Sequence, residues 1–159
     1  MIKLAKSFAQ YLENQIAELK INLLAEELSE EAISKNVFKA KGSTAWSVAN
    51  KLRIDHRFCD PDATERKTLG IPSEQEIRKQ LGLGCRLTPE ELGELEKEKR
   101  KYWSKREKFW MNRIEDKLNE RVIFICGSEH TERFKSLTLS KGCETKILIK
   151  NWCEQRKGI

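Results

Sequence analysis

The sequence predicts an α/β fold: a small, mostly parallel sheet of about four strands in three layers, with a long helical hairpin or insertion. Three observations predict it. Val122-Ile123-Phe124-Ile125-Cys126 is a wholly apolar run of strand length, the pattern of a strand covered on both faces. Around it, residues 121–150 read as strand, helix, strand, and the length of that unit suits a parallel βαβ crossover. Near the start, a helical pattern over residues 2–20 leads into a second short apolar run, Ile21 to Ala25, that closes on Glu26 and Glu27.

Each element carries its own signal. Ala5, Phe8, Ala9, Leu12, Ile16 and Leu19 recur at spacings of three and four and form one apolar helical stripe. Ser43 and Thr44 can cap a helix running to about Arg53, with Trp46, Ala49 and Leu52 turned inward. Ile54 to Asp60 alternates as a strand does and stops at Pro61. A short helix starts at Ser73, with Glu76 three residues on, and closes in Gly82-Leu83-Gly84. Thr88-Pro89-Glu90-Glu91 opens the longest predicted helix, which runs to about Asn119. After Gly127, Ser128 or Thr131 caps a helix bearing Phe134, Leu137 and Leu139, and Thr145 to Ile149 reads as the last strand. Residues 1–159 thus form one domain, with 73–120 a mainly helical insertion and 121–150 the C-terminal strand-helix-strand.

A chain of 159 residues can bury one core unaided. It has no apolar run of roughly 18 residues, so no membrane span is expected. The five cysteines, at 59, 85, 126, 143 and 153, are odd in number and at least ten residues apart. They read as reduced thiols of a cytoplasmic protein rather than as a disulfide framework or metal knuckle. The net charge of +6 is concentrated late, since Arg133 to Lys157 holds seven basic residues and two acidic ones. No recognition helix, RNP or zinc-finger pattern accompanies it, so a solvated basic face is expected rather than a nucleic-acid interface.

In parallel sheets, sites form beyond the carboxyl ends of the strands, where Glu26, Glu27, Asp60 and the Cys126-Gly127-Ser128-Glu129-His130 segment all fall. His130 follows Gly127, which would let the backbone turn and approach a ligand; the plain alternative is a histidine hydrogen-bonded locally at a helix start. Glu26 and Glu27 end a buried run, and a carboxylate there needs a cation. That cation is either a divalent metal (Mn, Fe, Zn or Mg) or an arginine. Arg106 interrupts an apolar stripe of Trp103, Trp110 and Ile114. It either snorkels to water or is held by tryptophans and aimed into the site. Asp60 to Arg66 reads as a turn that returns an arginine to its aspartate, and His56 as a packed histidine at the core edge.

In this order, Leu24-Ala25-Glu26-Glu27-Leu28, Asp60-Pro61 with Arg66, Arg106-Glu107 with Met111 and Ile114, and Cys126-Gly127-Ser128-Glu129-His130 resemble the motifs of a known superfamily. It joins the TraB-like and Tiki-like proteins with the erythromycin esterases and the ChaN-like haem-binding proteins. The family's Arg-Asn pair is here Arg106-Glu107, and its first Gly-x-x-His, expected before the opening helix, is absent. The resemblance implies a metal-assisted hydrolase of peptide or ester bonds. Glu27 and His130 would hold the metal or its activated water, Arg106 and Arg66 would meet the developing oxyanion, and Glu26, Asp60, Gly127 and Glu129 would help bind. The missing first strand would imply a truncated start or a homodimer. The alternative is a non-enzymatic binding or regulatory module whose pocket takes an anionic small molecule, a peptide or a partner protein.

Overall fold

The computed structural model describes residues 2–35 and 42–152; Cys153 and the last basic residues, Arg156 and Lys157, lie outside the described residues. Its centre is a three-stranded parallel sheet of β1 (Leu23–Glu26), β2 (Asp55–Phe58) and β3 (Val122–Ile125), in the order β2-β1-β3. Leu23 pairs with Asp55 on one side and Val122 on the other, which brings all three carboxyl ends to one rim.

Side chains alternate across a strand, and here the alternation divides the core in two. Leu24 and Ile123 face α1 (Ile2–Leu19), through Leu12 and Ile16, and α3 (Thr44–Leu52), through Ala45, Val48 and Ala49. Leu23, Ala25 and Cys59 face the opposite layer. It is made by Trp110 and Met111 of α7 (Trp103–Arg113) and Phe134 of α8 (Thr131–Ser140). The expected three layers are therefore present, with the central strand completely buried. Between α1 and α3 lies the short α2 (Glu30–Ser34), capped by Ser29.

The predicted helix over 88–119 is two helices. Lys101 and Tyr102 form i to i−3 hydrogen bonds with Glu98 and Lys99 and separate α6 (Pro89–Arg100) from α7. Each half serves a different neighbour: α6 packs on α5 (Glu74–Gln80) as a helical hairpin, whereas α7 packs on α8. The short α4 (Ala63–Thr68) precedes this hairpin and carries a full capping box from Asp62 and Glu65. The α3 stripe is Ala45, Val48 and Ala49, so Trp46 and Leu52 lie on the exposed side instead of inward. Thr145 to Ile149 forms no strand. The segment is anchored by the Thr138–Thr145 hydroxyl contact at 2.8 Å and by Leu148 against the α1/α3 layer, without joining the ladder. No helix among the described residues is long and apolar enough to cross a membrane.

The chain leaves β1 for β2 on one side and reaches β3 on the other, with α3 and α8 on opposite faces. The crevice between the carboxyl ends of β1 and β3 is thus the switch point at which open α/β sheets bind ligands.

Candidate functional site

Strand alternation sends the two adjacent glutamates to different layers. Glu26 shares the face of Leu24, where it is buried and one oxygen, Oε1, receives two partners. Ser43 Oγ donates to it, and His56 Nε2 lies 2.7 Å away. Ser43 is also the cap of α3, accepting from Trp46 N at 2.9 Å, so one hydroxyl ties the helix start to the strand end. His56 therefore does more than pack: it sits edge-on to Phe58 and bonds a buried carboxylate.

Glu27 continues the ladder, donating its N–H to Ile125 O at 2.8 Å, and turns to the α7 layer. Its Oε1 accepts from Arg106 Nη2 at 2.6 Å and its Oε2 from Gly127 N at 2.8 Å, which closes the crevice between β1 and β3. Arg106 also donates through Nε and Nη2 to Asp60 Oδ1, at 2.9 and 2.7 Å. The same oxygen accepts from Trp110 Nε1 at 2.9 Å, and Arg66 Nη2 takes Asp60 Oδ2. The Arg106 guanidinium lies 5.2 Å from the centre of the Trp110 ring. Burial opposes its charge, yet the charges and hydrogen bonds of Asp60 and Glu27 outweigh that cost and raise its pKa. Arg106 is held by Trp110, Asp60 and Glu27 rather than snorkelling to water, while Trp103 lies under Arg100.

His130 reaches the same place from β3. Its ring stands between Trp103 and Trp110, at centroid distances of 4.5 and 5.0 Å. Nδ1 is 2.9 Å from Glu107 Oε1, and Nε2 points to Glu27 Oε1 at 3.8 Å, too far for a hydrogen bond. Glu107 is buried and also accepts from Arg133 Nε at 3.2 Å on both oxygens. Only the backbone of His130 bonds locally, N–H to Gly127 O; its side chain works across the fold.

Glu27, Asp60, Arg66, Arg106 and Gly127 are thus joined in one hydrogen-bonded network; His130 packs against it on Trp110, beside Glu27, and Glu26 stands behind it with His56. Glu129, expected to help bind, is exposed and stands outside this network. A Cβ on Gly127 would meet Glu27 Oε2 at 3.5 Å and His130 Cδ2 at 3.8 Å, ordinary contacts, so glycine is not required there for close approach. Sequence reasoning names Glu107 only as the partner of Arg106 in a motif and gives it no role in the site. Its signal was available: it is four residues after Trp103 and three before Trp110, in the middle of the buried stripe.

Glu27, expected to hold a metal with His130, is paired here with a guanidinium. Both oxygens of Glu27 are taken, and Arg106 stands between the carboxylates of Glu27 and Asp60 that a divalent ion would bridge. Among the described residues, no group of three or more His, Cys, Asp or Glu is placed to hold a metal. The donors fit a guanidinium, which is the cation these carboxylates need.

Beside this network an open groove of about 270 Å³ runs over Glu27 and Asp60, bounded by Ser29, Glu31, Lys35 and Arg66. Compared with known proteins, the chain matches no family model, no curated protein and no solved structure.

Proposed function

We propose that the protein is a hydrolase of ester or peptide bonds in which His130 Nε2 moves the proton. The observation that carries this reading is the Glu107–His130 hydrogen bond, which commits Nδ1 and leaves Nε2 as the working nitrogen beside Glu27. A base oriented by a buried third group is the usual construction of an acid–base site. In the proposed step, a water placed near Glu27 gives a proton to Nε2 while its oxygen bonds to the substrate carbonyl carbon. Arg106 and Arg66 face the negative charge that gathers on the carbonyl oxygen. Collapse of the adduct breaks the bond to the leaving group, which takes the proton from Nε2. Glu107 is a positioning residue, and the step needs no metal.

The motif order that resembles the TraB-like, Tiki-like and erythromycin-esterase superfamily supports the same reaction class. The test is turnover of a panel of chromogenic esters and peptides by the wild type, His130→Ala, His130→Gln and Glu129→Ala. Turnover retained in Glu129→Ala and lost in both His130 variants is expected. Absence of any His130-dependent turnover overturns the reading.

A further inference from the structure

The charges around His130 balance in pairs. Glu107 Oε1 lies 2.9 Å from Nδ1 and Glu27 Oε1 lies 3.8 Å from Nε2, so the imidazole stands between two carboxylates, each of which favours a protonated ring. Glu27 does not lack a cation. Glu27 and Asp60 are met by Arg106 and Arg66, two carboxylates against two guanidiniums. Trp103 and Trp110 flank the ring without charge, and Cys126, at the end of β3, feels both glutamates and stays protonated. Glu107 is buried, and among the described residues the one cationic side chain besides His130 that bonds it is Arg133, whose Nε donates to both of its oxygens at 3.2 Å. Without that guanidinium, a buried carboxylate keeps His130 as its only ionic partner, and an unpaired charge there is costly unless the ring takes up a proton.

We propose that Arg133 is the positioning residue that keeps His130 uncharged, and with it Nε2 free to accept a proton. This role rests on the hydrolase reading, because only a bare Nε2 can act as the base there; the charge pairing stands without it. Arg133 acts from outside the reaction groove. Its side chain is half exposed on a cleft of about 300 Å³ between α7 and α8, which also meets Ser104, Glu107 and Lys108 and shares no residue with the groove over Glu27 and Asp60. Arg133 therefore lies off the substrate groove, and its influence reaches the ring through Glu107. Neutralising Glu107 from behind, it lets that carboxylate accept from Nδ1–H without drawing a second proton onto the ring.

The test is nitrogen NMR of the His130 ring in the full chain at about pH 7.5, where an ordinary histidine is mostly neutral. Wild type, Arg133→Gln, Arg133→Lys and Lys108→Gln are compared, His130→Gln assigns the signals, and urea midpoints establish that each variant is folded. In the wild type, Nε2 is expected at the position of a bare nitrogen and Nδ1 at that of a protonated one. In Arg133→Gln, Nε2 moves to the protonated position; Arg133→Lys, which keeps the charge, restores the wild-type pattern. Lys108→Gln removes a cation from the same cleft and leaves the pattern as it was. A merely structural arginine would lower the urea midpoint without changing the protonation of the ring. A doubly protonated ring in the wild type, a neutral ring in folded Arg133→Gln, or an equal response to Lys108→Gln overturns the proposal. The double variant Arg133→Gln/Glu107→Gln, which removes the buried charge as well, is expected to return the ring to neutral, and a ring still doubly protonated there overturns it too. A ring that responds as expected in a protein with no turnover refutes only the hydrolase reading; His130-dependent turnover with a neutral ring in both wild type and Arg133→Gln refutes only the role of Arg133.

Discussion

Glu107 Oε1 stands 2.9 Å from His130 Nδ1, and both side chains are almost wholly enclosed. The contact joins α7 to the start of α8 across the crevice and fixes the imidazole plane between two indoles. Replacing Glu107 by Gln keeps the volume and removes the charge that His130 and Arg133 meet, and is expected to cost about 1–3 kcal/mol. Glu107→Ala, which leaves both partners without an acceptor, should cost about 3–5 kcal/mol. Urea midpoints decide it, and an unchanged midpoint in the alanine variant would contradict the assignment.

Arg106→Met leaves Glu27 and Asp60 facing each other without their shared cation. A loss of about 3–5 kcal/mol is expected, with Arg66 and Trp110 still holding Asp60. Adding Glu27→Gln removes the uncompensated charge, so the double variant should recover part of the loss. A double-mutant cycle with coupling below about 0.5 kcal/mol would rule out the shared-cation description.

Burial pushes the Cys59 thiol up to about 12, and burial followed by the charges of Glu27 and Glu107 does the same at Cys126. Both stay protonated in the folded chain, while the unfolded chain releases those protons near the ordinary value of 9.0. Their contribution is therefore intact below about pH 9 and declines towards about 12. The alkaline decline should be shallower in Cys59→Ala/Cys126→Ala. Iodoacetamide at pH 8 should label exposed Cys85 well before Cys59, as mass spectrometry of the native protein can show.

Arg53 ends α3 with φ of 56°, in the left-handed region, and its side chain is exposed. Glycine adopts that conformation without strain, so Arg53→Gly is expected to stabilise the fold by up to about 1 kcal/mol. Thermal unfolding measures it; a lowered melting temperature would mean that the arginine makes a compensating contact.

Gly127→Ala should fold and keep the Glu27 contact, because the added carbon finds ordinary separations. Loss of folded protein on this change would show that the Gly127 backbone bends more than the structure has it.

Much of the site was legible because it depends on local rules. Apolar runs closing on Glu26, Glu27 and Cys126, the Ser43 cap and the Asp60–Arg66 turn are all short-range patterns, and the structure carries each one. What was missed depends on tertiary context. A glutamate within a charged helix reads as solvated, and only the packing of Trp103 and Trp110 around His130 makes Glu107 an interior acceptor. His56 reads as core because its acceptor, Glu26, is thirty residues away in sequence. The break at Lys101 and Tyr102 contains neither glycine nor proline; it follows from the different neighbours of α6 and α7. Thr145 to Ile149 has strand composition, but composition does not supply a ladder partner.

The opposite orientations of Glu26 and Glu27 make the site sensitive to chain length as well as residue identity. One residue inserted into or deleted from β1 would exchange the two layers, presenting to Arg106 the carboxylate now held by Ser43 and His56. Every ionic partner beyond the strand would then be mismatched at once. Indels compatible with function should be absent from Leu23–Glu26 and gather instead in the exposed turn at Gly82 to Arg86, which touches none of these groups.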